Sequence, residues 1–179
     1  DKPFPGQEKF LITSNNVETH AEKPEMKAKE IADKIIQALE AGETDFIAAN
    51  FANADMTAHT GNFDAALEAI RAVDKDIGRV LKYCEQNNVY LVITSDHGNV
   101  EVMRDPVTGE METSHDHSPV PGYIVGQEFK SKKSLQDVAD GENMAIGILS
   151  DVAPTILALL GVEKPKEMTG QNLIPILRD

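Results

Sequence analysis

One stretch decides the fold: Val89-Tyr90-Leu91-Val92-Ile93-Thr94-Ser95-Asp96-His97-Gly98-Asn99. Its apolar, largely β-branched run ends abruptly in Asp96 and His97. A continuous apolar run of this length is typical of a strand that is covered on both faces of a sheet. Ligands in open α/β sheets bind beyond the carboxyl ends of the strands. The stretch therefore predicts an α/β protein with Asp96 and His97 at a ligand site.

Asp96 and His97 combine an anionic oxygen with an imidazole nitrogen. Such neighbours are a common ligand pair for a divalent ion, and Gly98 allows the backbone to turn closely around them. The alternative is a strand end that is capped by two polar side chains facing solvent. The pair by itself leaves both interpretations open.

A second apolar run, Asp45–Phe51, leads into the polar segment Asn53–Gly61. This segment contains Asp55 and His59, four residues apart, which one helical turn places on the same side. An exposed helix pair would have the same spacing. We expect a strand at 45–50 that delivers Asp55 and His59 to a site.

A third polar segment, Thr113–Pro121, contains His115 and His117 on either side of an aspartate. Taken alone, it is also compatible with a solvated loop. Four of the five histidines thus lie in three polar segments, each beside an Asp, and this clustering favours a metal site. Carboxylate and imidazole ligands suit Mn²⁺ or Zn²⁺ better than Ca²⁺.

The candidate ligands suffice for two ions, and paired ions are a recurring device of phosphoryl transfer. An enzyme intermediate in such a reaction needs a hydroxyl held on the metal. Ser95 and Thr57 neighbour the candidate ligands, but the spacing selects neither as a nucleophile.

Composition places this chain among soluble globular proteins. Its 179 residues are 41% hydrophobic and 26% charged, which is ordinary for one domain with a proper core. The net charge of −13 argues against nucleic acid or an anionic membrane as a partner. The sequence has no apolar run that could span a membrane and no signal-peptide pattern. A single cysteine, Cys84, excludes an internal disulfide and fits the cytoplasm.

Helical and strand patterns alternate along the chain, which predicts a layered α/β sheet. Cys84 lies on the apolar stripe of a long helix and is interpreted as a core residue. The predicted elements are helices from 24 to Gly42, at 63–85 and at 150–160, strands at 10–12, 45–50, 89–94 and 122–126, a hairpin tip at 105–109, and a polar surface excursion at 127–145. Ser150 and Asp151 are the expected cap of the last of these helices.

Several segments resemble the cofactor-independent (2,3-bisphosphoglycerate-independent) phosphoglycerate mutases of the alkaline phosphatase superfamily. They occur in the family's order and cover the chain nearly end to end. The matching segments are Lys23–Met26, Asn50–Gly61, Thr94–Asn99, His115–Pro121, Asp151–Thr155 and Lys164–Gly170.

The resemblance implies an alkaline-phosphatase-like fold, a layered sheet with helices on both faces, incomplete at its N-terminal side. Residues 1–179 would form the C-terminal part of one metal-binding phosphatase-like domain, without the family's inserted substrate-binding domain. The family interconverts 2- and 3-phosphoglycerate through a phosphoserine intermediate in glycolysis and gluconeogenesis. The implied cofactors are two divalent ions, Mn²⁺ first, with Zn²⁺ or Co²⁺ as alternatives.

The resemblance also assigns ligands. Asp55, His59 and His115 match the ligands of one Mn²⁺, and Asp96 and His97 match ligands of the second. The family usually has Thr-like residues at positions 116 and 117 and Asn at position 118. The residues found here, Asp116, His117 and Ser118, are departures, and they leave open whether His115 or His117 is the ligand.

The family's serine nucleophile, a further aspartate ligand and most substrate-binding arginines have no match in this chain, so its substrate-binding residues are not assigned. The sequence has only four arginines, Arg71, Arg79, Arg104 and Arg178. We therefore expect a fragment that binds metal but is not a competent mutase alone. Its expected partners are phosphoglycerate in the full enzyme, the rest of the same polypeptide, or a second copy.

Two rival functions stay open at this stage. One is another phosphomutase or phosphatase of the same superfamily, such as a phosphopentomutase. The other is a metal-binding module without catalysis. The pattern Asn53-x-Asp55-x3-His59-x-Gly61 favours the phosphoglycerate mutase.

Overall fold

The computed structural model describes residues 3–131, 134–142 and 144–177. The chain forms two compact units. One comprises the residues up to Val80 together with Asn99–Ser114, and the other comprises Leu81–Gly98 together with the residues from His115 onward. Helices dominate both units, and one small sheet accompanies them, so the predicted α/β class is confirmed.

Six helices and two strands make up the regular structure of the described residues. The helices are α1 (Ala28–Ala41), α2 (Asn53–Ala58), α3 (Phe63–Asn87), α4 (Leu135–Glu142), α5 (Val152–Leu159) and α6 (Ile174–Leu177), and the strands are β1 (Leu91–Thr94) and β2 (Gly122–Val125). Short 3₁₀ turns lie at His20–Glu22, Val100–Val102, Gln127–Phe129 and Leu149–Asp151. None of the described helices is long and apolar enough to cross a membrane.

The helix predicted from 24 to Gly42 is confirmed as α1 with a later start, at Ala28, and the helix predicted at 63–85 is confirmed as α3. Gly42 ends α1 with a φ of 66°, a left-handed conformation that glycine adopts without steric cost. Cys84 on α3 is only 2% exposed, and burial raises the pKa of its thiol. These observations fit its interpretation as a core residue rather than a nucleophile.

An ion-pair network joins α1 to α3 within the first unit. The guanidinium of Arg79 donates to the carboxylates of Asp33 and Asp76, the latter at 2.8 Å. Hydrogen bonds from Lys29 and Arg79 hold the pKa of Asp33 below its usual value. Because Asp76 is 6% exposed, its pairing with Arg79 satisfies a charge that would otherwise be costly to bury.

The beginning of α2 is anchored by Asn53, which is 1% exposed. Its side-chain amide donates to the carbonyl oxygens of Pro24 (2.9 Å) and Glu25 (2.8 Å). The hydroxyl of Thr57 donates back to the Asn53 carbonyl at 2.7 Å. The Lys-Pro-Glu-Met segment is thereby tied to the helix that carries Asp55.

The sheet consists of β1 and β2, which pair antiparallel with Leu91 opposite Val125 and Thr94 opposite Gly122. The strand predictions at 89–94 and 122–126 are confirmed with shorter bounds. The strands predicted at 10–12 and 45–50 are wrong, since neither segment has strand pairing within the described ranges. An apolar run becomes a strand only where a neighbouring chain accepts its backbone hydrogen bonds.

Asp151 has a different role from the predicted helix cap. It makes no cap hydrogen bond to α5, and its carboxylate instead accepts the backbone N–H groups of Ile148 (2.9 Å) and Gln171 (2.7 Å). The hydroxyl of Thr155 accepts the N–H of Leu173 at 3.0 Å. The start of α5 thus holds the C-terminal segment in place.

The Asp151 contacts predict an acid-sensitive contribution to stability. Hydrogen bonds from Gln171 and Ile148 lower the pKa of its carboxyl. A lowered folded-state pKa stabilises the protein above the unfolded pKa of about 3.9, and this stabilisation is lost as the pH falls through the folded value. We expect Asp151→Asn to lower the melting temperature by roughly 5–10 °C at pH 7, because one of the two N–H groups would face an amide donor.

Thermal unfolding followed by circular dichroism at pH 7 and at pH 3 checks this expectation. The difference between wild type and Asp151→Asn should narrow at the lower pH, because pH 3 lies below the unfolded pKa and part of the stabilisation from the lowered pKa of Asp151 is lost there. Asp74→Asn, a change at an exposed position of α3, serves as the control. A difference of equal size at both pH values would contradict the assignment of the effect to the carboxylate charge.

Candidate metal centre

The first unit places Asp55 and His59 side by side, as their spacing predicts. Oδ1 of Asp55 lies 3.3 Å from Nε2 of His59. Nδ1 of His59 lies 2.6 Å from the carbonyl oxygen of Thr113. Because a carbonyl only accepts hydrogen bonds, Nδ1 must carry the proton there. In a neutral ring, Nε2 then directs its lone pair toward a carboxylate oxygen, an arrangement that a cation between them would stabilise.

Asn99 supports Asp55 from the same unit. Its side-chain amide donates to Oδ1 of Asp55 at 2.7 Å, and the residue is only 4% exposed. Sequence reasoning did not give a role to Asn99 or to the Thr113 carbonyl. The position of Asn99 directly after the Asp96-His97-Gly98 run was the one signal available for it.

The second unit brings together Asp96, His97 and His115. The rings of His97 and His115 stack with centroids 3.6 Å apart and planes 19° from parallel. Oδ1 of Asp96 lies 3.6 Å from Nε2 of His97. Ser95 donates its hydroxyl to the backbone carbonyl of His97 at 2.9 Å, so its contact is with the main chain of this turn.

A single antiparallel bridge between Gly98 and Asp116 holds the two histidine segments together. The N–H of Asp116 donates to the carbonyl of Gly98 at 2.9 Å. Oδ1 of Asp116 accepts the N–H of Ser118 at 2.6 Å, and bonds from Ser118 lower the pKa of this carboxyl, helped by the neighbouring His117 and His97. The three residues that depart from the resembled family pattern, Asp116, His117 and Ser118, therefore lie at or next to this bridge. The side chain of His117 is exposed.

Comparisons with known proteins identify the family. The profile of the metalloenzyme superfamily matches residues 1–164, most of the chain. The chain belongs to this superfamily. The matched range contains all the candidate ligands: Asp55, His59, Asp96, His97 and His115.

Individual relatives confirm the resemblance to phosphoglycerate mutases. The chain is 45% identical over 174 residues to the 2,3-bisphosphoglycerate-independent phosphoglycerate mutase of Clostridioides difficile (strain 630), covering 97% of this chain and 32% of the relative. The enzyme of the same name from Pseudomonas putida (strain GB-1) gives the same values. The chain therefore spans about a third of the length of the curated relatives that it matches.

A solved structure of phosphoglycerate mutase from Leishmania mexicana, determined at low cobalt concentration, is also similar. It superposes with a TM-score of 0.74 at 29% identity, covering 89% of this chain and 30% of that protein. This superposition shows that the chain shares the fold of the matched part of that phosphoglycerate mutase as well as sequence similarity with it.

The donor sets fit a divalent metal of this superfamily. Each unit offers at least one carboxylate and one imidazole, the ligands that suit Mn²⁺, Zn²⁺ or Co²⁺. Among the described residues, Nδ1 of His97 is shielded from solvent and has no hydrogen-bond partner. A shielded ring nitrogen without a partner is costly unless metal binding or a rearranged contact satisfies it.

We predict that Gly98 is required for the arrangement of His97 and His115 in the second unit. A Cβ at this position would overlap Oδ1 of Asp116 and lie 3.0 Å from Cβ of Ser118. Gly98→Ala should push the His115 segment away from His97 and weaken Mn²⁺ binding by roughly 10- to 100-fold, the range typical of lost support around metal ligands.

Titration calorimetry with Mn²⁺ measures the effect of Gly98→Ala. Gly122→Ala is the matched control, because the same added methyl group meets no atom within 4 Å there. Unchanged Mn²⁺ affinity in the Gly98 variant would show that the bridge does not organise the ligands.

Proposed function

We propose that this chain is the metal-binding part of a phosphoglycerate mutase that interconverts 2- and 3-phosphoglycerate through a phosphoserine intermediate. The observation that carries the proposal is 45% identity to the Clostridioides difficile mutase across 97% of this chain. The serine nucleophile and the substrate-binding residues are assigned to the two-thirds of such relatives that this chain does not match.

Residues of this chain would hold two divalent ions, with Mn²⁺ as the proposed metal. Asp55, His59 and His115 are assigned to one ion, and Asp96 and His97 to the other, following the resemblance to the family. When bound, the ions supply electrostatic stabilisation of the transferring phosphoryl oxygens and activation of the nucleophile.

The chain's own contacts prepare the ligands for this role. The Thr113 carbonyl holds the proton of His59 on Nδ1 and leaves Nε2 for the metal. The Asn99 amide fixes Oδ1 of Asp55. Ligands that are oriented before binding lose less conformational entropy when the ion arrives.

The wider setting belongs to the same proposal. Residues 1–179 are assigned to one phosphatase-like domain of a glycolytic and gluconeogenic enzyme in the cytoplasm, and the remainder of that enzyme is the expected partner. Self-association of the isolated chain is the alternative contact.

Metal content tests the first part of the proposal. We expect the purified protein to bind about one to two Mn²⁺ ions per chain, and His59→Ala and Asp96→Ala to weaken different sites. Elemental analysis after gel filtration and calorimetric titration give stoichiometry and affinity. A wild-type chain without Mn²⁺ binding would contradict the proposed metal centre.

A chimeric enzyme tests the reaction. This chain would replace the matching third of the Clostridioides difficile mutase, and ³¹P NMR would follow conversion of 3-phosphoglycerate. We expect turnover that is lost in the Asp96→Ala chimera and absent from the isolated chain. Turnover of phosphopentoses without turnover of phosphoglycerate would instead support a phosphopentomutase.

A further inference from the structure

Two shielded polar atoms of the second unit lack hydrogen-bond partners within the described part of the chain. They are Nδ1 of His97 and Oδ2 of Asp116. Buried polar groups in folded proteins are nearly always paired, because removing them from water without a new partner is unfavourable. One of these atoms is able to carry a proton and the other accepts one, so they are complementary.

The backbone holds the two residues at one place. Gly98, directly after His97, forms the antiparallel bridge with Asp116 and receives its N–H at 2.9 Å. The missing side chain of Gly98 leaves the space that the Asp116 carboxylate occupies. The carboxylate thus enters the turn that carries His97.

Only one oxygen of this carboxylate is engaged. Oδ1 accepts the Ser118 N–H at 2.6 Å, which fixes the orientation of the Asp116 side chain. Oδ2 is shielded and unpaired among the described residues, so it is the atom left for a further contact. A fixed, anionic acceptor beside a histidine is the usual companion of a metal-binding imidazole.

Asp96 indicates which nitrogen of His97 would bind the metal. Its Oδ1 lies 3.6 Å from Nε2 of His97, so these two candidate ligand atoms are neighbours. Metal binding through Nε2 leaves the ring proton on Nδ1, which then requires an acceptor. The acceptor across the bridge to Gly98 is Asp116.

We propose that Asp116 is a positioning residue of the metal centre, whose Oδ2 accepts the Nδ1–H of His97, directly or through one water, when the ion is bound. The inference rests on the proposed metal-binding function. It gives a role to Asp116, which stands where the resembled family usually has a Thr-like residue, and it fixes the tautomer of His97.

Asp116→Asn is the informative substitution, with Asp105→Asn as its matched control. An asparagine at 116 can still accept the Ser118 N–H, but its amide group then faces His97 with a donor. Asp105 has the same local role in another turn, accepting the N–H groups of Val107 (2.7 Å) and Thr108 (2.8 Å). We expect Mn²⁺ affinity to fall roughly 10- to 100-fold in Asp116→Asn and to stay within twofold of wild type in Asp105→Asn.

A spectroscopic measurement on the unaltered protein tests the same contact without relying on a variant. Long-range ¹H–¹⁵N spectra of the Zn²⁺-loaded protein should show His97 with a protonated Nδ1 and a coordinated Nε2. The Nδ1 proton should exchange slowly with solvent, and faster in Asp116→Asn. Coordination through Nδ1, or Mn²⁺ affinity of Asp116→Asn within twofold of wild type, would overturn the inference while leaving the metal centre intact. Absence of metal binding in the wild type would instead overturn the proposed function and this inference together.

Discussion

The Asp55→Ala variant is expected to show the largest loss of metal binding, a fall of at least about 100-fold in Mn²⁺ affinity at one site. This loss exceeds the roughly 10- to 100-fold typical of residues that hold the ligands without binding the metal themselves. Asp55 is the carboxylate that faces Nε2 of His59 at 3.3 Å. Its removal takes away a negatively charged ligand and leaves the Asn99 amide without its acceptor. Titration calorimetry and elemental analysis give the affinity and the number of ions retained.

Loss of charge alone must be separated from loss of the ligand. The chain carries a net charge of −13, which attracts any cation to its surface. Asp64→Ala, at an exposed position in the first turn of α3, removes the same charge at a residue that is not a candidate ligand. Equal losses of Mn²⁺ affinity in both variants would point to a general electrostatic effect and would contradict the assignment of Asp55 as a ligand.

The second large effect is expected from Gly170→Ala, on folding stability. A Cβ at Gly170 would overlap the backbone carbonyl of Ser150 and approach the backbone nitrogen of Asp151 to 2.9 Å. Backbone atoms cannot rotate away as a side chain does, so the C-terminal segment must move. We expect a loss of about 3 kcal/mol or more, seen as a melting temperature lower by roughly 6–12 °C.

Gly141→Ala is the control for this experiment, because its added methyl group meets no atom within 4 Å and lies in α4. Alanine has a higher helix propensity than glycine, so Gly141→Ala should not lower the melting temperature. A melting temperature of Gly170→Ala within about 2 °C of wild type would show that the contact with Ser150 is not required.

Local patterns in the sequence predicted α1, α3 and the proximity of Asp55 to His59. The 3.6-residue periodicity of α3 and the glycine after α1 are signals that neighbouring residues alone create. The spacing of Asp55 and His59 likewise predicted that their side chains lie together, and Oδ1 of Asp55 lies 3.3 Å from Nε2 of His59. These features needed no knowledge of distant parts of the chain.

Features that depend on distant contacts were not predictable in the same way. Asn99 reaches Asp55 across 44 positions of sequence, and the Thr113 carbonyl reaches His59 across 54. The local sequence around Asp151 resembles a helix cap, but its carboxylate accepts the backbone N–H of Gln171, twenty residues later. The apolar runs at 10–12 and 45–50 failed as strand predictions because strand formation depends on a neighbour that the run itself does not specify.

The anchoring of α2 by Asn53 also determines how the sequence can change. Both acceptors of its amide are main-chain carbonyls, at Pro24 and Glu25, so every residue type at position 25 supplies the same oxygen. The short side chain of asparagine supplies the two N–H donors that these carbonyl oxygens need. Aspartate at position 53 would instead place a carboxylate oxygen, which only accepts hydrogen bonds, beside the two carbonyl oxygens. We therefore expect substitutions to be tolerated at exposed Glu25 and to be destabilising at Asn53, although the two residues share one contact.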